Sequence, residues 1–234
     1  MASGDGSVIM FVKAPQPGMV KSRLAGKVGD ETALALYMCF VQDTVAMLLE
    51  GRYPFTVFFH PAGAKEMIAR WLGYDRKICP QHGSNLGERM KNAFRDVFSR
   101  GSTRAVLIGS DIPDLPHSFI GEALTSLEDH DAVLGPSHDG GYYLIGFRSD
   151  SFLPEVFEGV PWSTPAVFQQ TLGILQKSKY RVYTLQERRD IDTFDDLAAF
   201  FRDNLFASPA PAATMEYVRS HIPDISRNPQ HEHK

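Results

Sequence analysis

Residues 8–12 read VIMFV, five consecutive apolar side chains near the start of the chain, and the fold can be worked out from this stretch. A short run that is apolar at every position is typical of a strand buried on both faces of a mostly parallel sheet. We therefore predict that it forms the first, central strand. From residue 8 to residue 203, short β-rich runs alternate with longer amphipathic ones, which is the pattern of an α/β fold.

Apolar periodicity and turn residues predict the remaining elements outward from this strand. After a loop rich in proline and glycine, a helix should begin at Asp30, which can cap it, and end at Gly51. The other predicted strands are 55–60, 77–79, 104–109, 132–135, 142–147 and 181–185, and the other predicted helices are 64–72, 86–99, 117–127, 165–176 and 193–202.

These elements predict a three-layer α/β/α fold with a mostly parallel central sheet, in a single domain over residues 1–204. Residues 208–213 are rich in proline, alanine and serine, and residues 227–234 are polar. We therefore expect residues 205–234 to be a peripheral or mobile tail.

Composition excludes several classes of protein. The chain of 234 residues is 43% apolar, which allows a sizeable core, and its 24 basic and 28 acidic residues give a net charge of -4. Such a balance lacks the basic excess of nucleic-acid-binding proteins and argues against nucleic acid as the main partner. The longest apolar stretches fall far short of the roughly 20 residues of a membrane helix, and Cys39 and Cys79 are too far apart in sequence for a zinc cluster. We expect a soluble, cytoplasmic protein without a membrane span.

The loop directly after the first strand, residues 13–27, is the first candidate for chemistry. Ligands of open α/β sheets bind beyond the carboxyl ends of the strands, and polyphosphate is the natural counter-ion of a basic loop in that position. It is not a phosphate-binding P-loop, because Val20 stands where glycine is required before Lys21-Ser22, and it lacks the dinucleotide-binding glycine pattern. Its four cations are Lys13, Lys21, Arg23 and Lys27.

An aspartate stands at the end of the predicted strand 104–109. Pro113 keeps the residue before it out of the helical region, so Asp111 is held at the strand end. A carboxylate there suits Mg²⁺, which usually takes one or two protein carboxylates together with phosphate oxygens. The alternative for Asp111 is a helix-cap or turn residue.

Two later loops carry further acids. Asp139 precedes Gly140-Gly141, a pair that allows close approach of a ligand but also makes an ordinary hairpin turn. Two roles of Asp139 therefore stay equally open: binding the acceptor substrate, or forming the turn through its own hydrogen bonds. Asp192 and Thr193 precede the last predicted helix, whose first turn holds Asp195 and Asp196. By itself this pattern is a helix N-terminus with favourable charges.

Taken in order, these motifs resemble the nucleotide-diphospho-sugar transferase superfamily of the GT-A type. Within it, the sequence is most similar to a bacterial branch of glycosyltransferase-like proteins of uncertain substrate, formerly treated as a domain of unknown function. The resemblance extends from about residue 8 to residue 202. It is carried by 11–15 with Gly18 and 21–24, by 85–90, 109–113, 134–136, 139–143 and 162–164, and by 190–193 with 196–197.

The resemblance implies roles for individual residues. Asp111 and Asp192 would be the ligands of Mg²⁺ or Mn²⁺, and Arg23 and Lys27 match a phosphate-binding pair. Arg23 and Asp139 would act in catalysis, Asp139 by orienting or deprotonating an acceptor hydroxyl. The implied nucleotide-binding residues are Ala14, Pro15, Gly18, Lys21, Arg23, Lys27, Leu86, Gly87 and Asp111.

The leading functional hypothesis is metal-dependent glycosyl transfer from a nucleotide-sugar to a small-molecule acceptor. The second is nucleotidyl transfer from a nucleoside triphosphate to a phosphorylated or acidic acceptor, with release of pyrophosphate. It ranks lower because nucleotidyltransferases of this superfamily often have a glycine-dense first loop, whereas Pro15, Gln16 and Pro17 stiffen this one. The third is a nucleotide-binding module without catalysis.

Overall fold

The computed structural model describes residues 6–207 and 211–226. Contacts between Cα atoms divide the described residues into two compact units, each assembled from separate stretches of chain. The sheet unit consists of 6–14, 47–110 and 116–190, and the helical unit consists of 15–46, 111–115, 191–207 and 211–226. The single domain over residues 1–204 stays a prediction.

The sheet unit holds one seven-stranded sheet with the order β3-β2-β1-β4-β6-β5-β7. All neighbouring strands are parallel except at β6, which is antiparallel to both β4 and β5. The first strand therefore lies inside the sheet as predicted, although β4 is the middle strand. The strands are β1 (Gly6–Lys13), β2 (Phe55–His60), β3 (Ile78–Pro80), β4 (Arg104–Ile108), β5 (Ala132–Pro136), β6 (Tyr142–Arg148) and β7 (Val182–Thr184).

Helices cover both faces of this sheet within the sheet unit. On one face, Ile9 belongs to a core cluster with Phe94 and Leu175 from two different helices. Side chains along a strand alternate between faces, and on the opposite face Gly6 lies against Leu124. The predicted three-layer α/β/α fold is confirmed. The helices of this unit are α3 (Lys65–Leu72), α4 (Leu86–Ser99), α5 (His117–Ser126) and α6 (Val167–Lys177).

The reversed direction of β6 follows from the length of its connection to β5. Residues 137–141 are the whole link between the two strands, with Ser137 N–H donating to the carbonyl of Gly141 at 3.1 Å. A parallel neighbour needs a crossover of a dozen or more residues, so a five-residue link permits only an antiparallel hairpin. This turn is the glycine-rich segment that the sequence singles out.

The helical unit is built around one apolar cluster to which four helices contribute. They are α1 (Ser22–Val28), α2 (Asp30–Glu50, of which the last four residues belong to the sheet unit), α7 (Phe194–Asp203) and α8 (Ala212–His221). The helix α1 corrects the prediction of a loop before Asp30: it forms around the fully buried Leu24, which packs in the same cluster as Leu36 and Phe40.

The helix α8 corrects the prediction for residues 205–234. Residues 211–226 are not peripheral, because Met215 and Val218 are buried in the core of the helical unit with Ile222 and Ile225. These four apolar side chains recur at helical spacing, and this pattern in the sequence indicates a helix with one buried face. Residues 208–210 and 227–234 lie outside the described residues.

The helix α2 is long and apolar enough to cross a membrane by length and composition, although polar residues interrupt its apolar runs. It is the only such helix in the described residues, and more than half of its apolar window is buried inside the protein. Ala33, Leu36 and Phe40 are fully buried in the core. We therefore interpret α2 as a core helix.

Replacing Asp43 with alanine is expected to lower the free energy of unfolding by about 1–3 kcal/mol. The buried carboxylate of Asp43, on α2, accepts the N–H groups of Ala213 at 2.9 Å and Thr214 at 2.8 Å, and so caps α8. Urea unfolding followed by circular dichroism measures the loss. Asp203→Ala, which removes an exposed carboxylate of α7, is the control and should change the free energy by less than about 0.5 kcal/mol. Equal effects of the two changes would contradict the capping role.

Candidate functional site: paired carboxylates and cations in the helical unit

Four of the predicted site residues form one cluster of charges in the helical unit, which we call the carboxylate cluster: Lys21, Arg23, Asp111 and Asp192. The Nζ atom of Lys21 lies 2.7 Å from Oδ1 of Asp111 and 2.9 Å from Oδ1 of Asp192. Arg23 reaches the other oxygen of Asp192, with Nη1 3.5 Å from Oδ2. The structure thus brings together both predicted metal ligands and two predicted nucleotide-binding cations.

The short segment Asp111–Leu115 is fixed at both ends. The carbonyl of Asp111 accepts the N–H of Ile191 at 2.9 Å, which ties the segment to the stretch that carries Asp192. At the other end, the amide of Asn204 donates to the carboxylate of Asp114 at 3.1 Å. Ile112 and Leu115 of this segment are buried. Asp114 is therefore a structural anchor, whereas Asp111 presents its carboxylate to the cluster.

Asp192 is held by the start of α7. Thr193 is the N-cap: its Oγ1 accepts the N–H of Asp196 at 3.2 Å, while the carboxylate of Asp196 accepts the N–H of Thr193 at 2.9 Å. The same carboxylate accepts the N–H of Asp192 at 3.3 Å. This capping box confirms the helix-cap interpretation for Asp196 and leaves the side chain of Asp192 directed to Lys21.

Lys21 is the least exposed member of the carboxylate cluster. Its side chain is 5% exposed, whereas those of Asp111 and Asp192 are 46% and 35% exposed. Burial lowers the pKa of the Lys21 ammonium, but the two carboxylates more than offset that effect and hold the pKa above its ordinary value. The sequence predicts that Lys21 binds the nucleotide, whereas in the structure Lys21 forms ion pairs with Asp111 and Asp192.

The remaining predicted residues of the first loop lie around α1. Arg23 is 68% exposed, and Lys27 follows it by four residues, so both lie on one exposed face of α1. Gly18 has φ of 71°, a left-handed conformation that favours glycine. Pro15 begins this stretch of the helical unit. An exposed pair of cations one helical turn apart is suited to phosphate oxygens.

The other predicted site residues belong to the sheet unit. Ala14 is buried and continues β1, its N–H donating to the carbonyl of His60 at 2.7 Å. Leu86 is partly exposed at the first position of α4. Gly87 follows it and is buried against Trp162. Trp162 itself packs on the core of this unit, as the ring contact with Tyr142 at 6.5 Å between centroids shows.

Asp139 has an observed role in the turn between β5 and β6. Its Oδ1 accepts hydrogen bonds from the Ser137 hydroxyl and, at 2.9 Å, from the N–H of Gly141. Gly140 has φ of 86°, and a Cβ there would lie 2.3 Å from the carbonyl oxygen of Pro165, so only glycine fits. The turn chemistry is confirmed, and the acceptor-side role of Asp139 stays a prediction.

Replacing Gly87 with alanine is expected to destabilise the fold by about 1–3 kcal/mol. A Cβ at this position would lie 2.4 Å from the carbonyl oxygen of Phe157 and 2.8 Å from the ring of Trp162. Thermal and urea unfolding measure the loss. Gly173→Ala is the matched control, because a Cβ at this helical position meets nothing within 4 Å and should be neutral or stabilising. Unchanged stability of Gly87→Ala would argue against a packing role.

The carboxylate cluster fits a divalent cation by the chemistry of its donors. Two carboxylate oxygens converge on one point, at present the Nζ atom of Lys21, and their side chains remain partly exposed. Mg²⁺ usually binds through one or two carboxylates plus substrate phosphates. In the part of the chain that the structure describes, no group of three or more His, Cys, Asp or Glu side chains could hold a metal. Phosphate or water oxygens would therefore have to complete the coordination.

The fold and the carboxylate cluster define an α/β protein with the architecture of nucleotide-diphospho-sugar transferases. A family model described as "Uncharacterized protein conserved in bacteria (DUF2064)" matches residues 44–164. The chain belongs to this family. No match was found among curated protein sequences.

Comparison with solved structures indicates the same class of protein. The "putative nucleotide-diphospho-sugar transferase" of Desulfovibrio desulfuricans is 39% identical with a TM-score of 0.91, over 97% of this chain and 98% of that chain. Two structures with 13% identity share the fold alone. They are 4-diphosphocytidyl-2C-methyl-D-erythritol synthase of Anaerococcus prevotii (TM-score 0.54, 83% and 93% covered) and the manganese complex of Rv0371c of Mycobacterium tuberculosis (TM-score 0.51, 82% and 96% covered).

Proposed function

We propose that this protein is a transferase that uses a nucleotide-activated sugar and passes the sugar to a small-molecule acceptor in a metal-dependent reaction. The observation that carries the proposal is the convergence of Asp111 and Asp192 on one cation, with Arg23 beside them. The relative with 39% identity, which is described as a "putative nucleotide-diphospho-sugar transferase", supports the same class. We further propose that the protein acts in the cytoplasm and not on nucleic acid.

In this proposal the charges of the helical unit bind the diphosphate of the donor. Asp111 and Asp192 would hold Mg²⁺ or Mn²⁺, which supplies positive charge to the phosphate oxygens. Arg23 and Lys27, exposed on one face of α1, would bind the same diphosphate directly. Negative charge develops on the departing phosphate oxygen during sugar transfer, and fixed cations stabilise it.

The nucleotide-binding and acceptor roles of residues in the sheet unit remain part of the proposal. Leu86 and Gly87 would border the base and ribose, and the main chain at Ala14 would read the base. Pro15 and Gly18 of the helical unit keep the predicted nucleotide-binding role. Asp139 would orient or deprotonate an acceptor hydroxyl. Its exposed carboxylate, fixed by Ser137 and Gly141, supports that role because a positioned base needs a defined orientation.

Nucleotidyl transfer from a nucleoside triphosphate is the second candidate. The exposed cations Arg23 and Lys27 favour it as much as the first, because they suit pyrophosphate as a leaving group equally well. The stiff segment Pro15-Gln16-Pro17 offers few backbone N–H groups to wrap a triphosphate, since proline has none. Glycosyl transfer therefore ranks first. A module that binds nucleotides without turnover would give no product in either assay.

Incubation with pooled nucleotide-sugars, candidate acceptors and Mn²⁺ is expected to release a free nucleoside diphosphate and no pyrophosphate. A carboxylate such as Asp139 can accept the proton of a hydroxyl acceptor but repels an anionic one, which favours sugar transfer. Mass spectrometry of the products makes the measurement, and a parallel incubation with nucleoside triphosphates is the comparison. Steady pyrophosphate release in the triphosphate pool alone would reverse the order of the two candidates.

A further inference from the structure

The ammonium of Lys21 stands where the metal of the proposed function would bind. Its Nζ lies 2.7 Å from Asp111 and 2.9 Å from Asp192, and it contacts one oxygen of each carboxylate. In the present orientation of the two side chains these are the oxygens that converge on one point, where a cation shared by the two acids would bind. Lys21 and a divalent cation therefore compete for one position, and without metal Lys21 keeps the two carboxylates paired.

The position of this ammonium is specified by the fold. Lys21 has φ of 47° and ψ of 45°, a left-handed conformation that a side chain with a Cβ adopts only where its surroundings hold it there. The side chain is nearly buried, and Nζ lies 5.9 Å from the ring centroid of Phe40, itself fully buried in the core. A flexible lysine on the surface would show none of these constraints.

The charges of the carboxylate cluster balance before any ligand binds. Lys21 and Arg23 are positive, and Asp111 and Asp192 are negative, so the four side chains sum to zero at neutral pH. A divalent cation that binds alone would join two resident cations and be repelled by them. The diphosphate of a nucleotide brings compensating negative charge and offers Lys21 and Arg23 new oxygen partners.

We propose that Lys21 competes with the divalent cation for Asp111 and Asp192, so that the metal binds tightly only together with a nucleoside diphosphate group. This inference rests on the proposed function, in which the two acids hold the metal. Lys21 is then a positioning residue that keeps the acids paired until both ligands arrive. Because coupling between two ligands is reciprocal, the metal must raise diphosphate affinity by the factor by which diphosphate raises metal affinity.

The test measures Mn²⁺ binding without nucleotide, through the electron paramagnetic resonance signal of free Mn²⁺. Lys21→Met, which keeps the length of the side chain and removes its charge, should bind Mn²⁺ about tenfold or more tightly than the wild type, a typical size for a coupling between sites. Lys177→Met is the matched control, because Lys177 is exposed in the last turn of α6, has no ion pair with either acid in the described structure and has no role in the proposed site. It should stay within about twofold of the wild type.

The outcomes separate this inference from the function on which it rests. If Asp111→Asn abolishes Mn²⁺ binding but Lys21→Met tightens it no more than Lys177→Met does, the competition is wrong and the metal site stands. If neither wild type nor Lys21→Met binds Mn²⁺, even with UDP, CDP, ADP or GDP present, both the metal site and the competition are wrong.

Two measurements keep the test independent of one variant. Lys21→Gln should tighten Mn²⁺ binding as Lys21→Met does, and thermal unfolding checks that each variant is folded. In the wild type, at least one of UDP, CDP, ADP and GDP should raise the affinity for Mn²⁺ by about tenfold. Equal Mn²⁺ affinity of the wild type with and without every one of these nucleotides, after correction for Mn²⁺ bound by free nucleotide, would overturn the inference without any substitution.

Discussion

Replacing Asp111 with asparagine is expected to remove the metal-dependent part of nucleoside diphosphate binding, with a loss of affinity of about 100-fold or more. Substitutions in the outer shell of a metal site already cost 10–100-fold, and Asp111 would be a direct ligand. Asparagine has nearly the same shape as aspartate and can still accept a hydrogen bond from Lys21, so the fold should persist. Isothermal titration calorimetry with UDP, CDP, ADP and GDP, in Mg²⁺ and in EDTA, measures the effect.

Asp195→Asn is the matched control for this change. Asp195 is an exposed carboxylate in the first turn of α7, in the same helical unit as Asp192. It should leave both the affinity and its metal dependence unchanged. Thermal unfolding in EDTA verifies that Asp111→Asn is folded. If the wild type binds these nucleotides with equal affinity in Mg²⁺ and in EDTA, the metal proposal is wrong.

Replacing Arg23 with alanine is expected to weaken diphosphate ligands by about 10–100-fold while leaving the corresponding nucleoside nearly unaffected. A hydrogen bond to a charged group contributes about 1.5–3 kcal/mol, and the nucleoside lacks the phosphate that would receive it. The fold should tolerate the change, because Arg23 is 68% exposed and its 3.5 Å contact with Asp192 is a weak ion pair. Titrations of UDP against uridine, and of the other three pairs, measure the difference.

Arg202→Ala is the control for the loss of one positive charge. Arg202 is exposed in the last turn of α7, and its removal lowers the net charge of the helical unit by the same amount. Diphosphate affinity should change by less than about twofold, since the interaction of distant exposed charges is screened by salt. An equal loss for nucleoside and diphosphate in Arg23→Ala would indicate damage to the first loop and not a lost phosphate contact.

Much of the sheet unit could be predicted because its signals are local. A strand that is apolar at every position is recognised without knowledge of its neighbours, and the strand Phe55–His60 and the helix Leu86–Ser99 have the predicted bounds. Turn residues between 136 and 142 likewise predicted a turn between two short strands, and the structure has a hairpin there. In each case a run of fewer than about 20 residues contains the whole physical cause, namely side-chain periodicity and the conformations of glycine and proline.

The helical unit was harder to predict because its short helices depend on distant partners. The helix α1 has only seven residues, one of which is a glycine, and Leu24 is its one buried residue. Its own sequence therefore favours a helix only weakly. It is stabilised by packing in the same core as α2, α7 and α8. The segment rich in proline before α8 favoured the prediction of a tail. The N-terminus of α8 is capped by Asp43, a residue about 170 positions earlier in the chain.

The sequence by itself determined the fold class, the identity of the candidate acids and the basic character of the first loop. Each of these follows from the order of residues within a single segment. Only the tertiary structure decided that Lys21 lies between Asp111 and Asp192, because an ion pair forms wherever the fold brings opposite charges within a few ångströms. Lys21 and Asp192 are 171 positions apart, and no local pattern records which of the four cations in the loop reaches the acids.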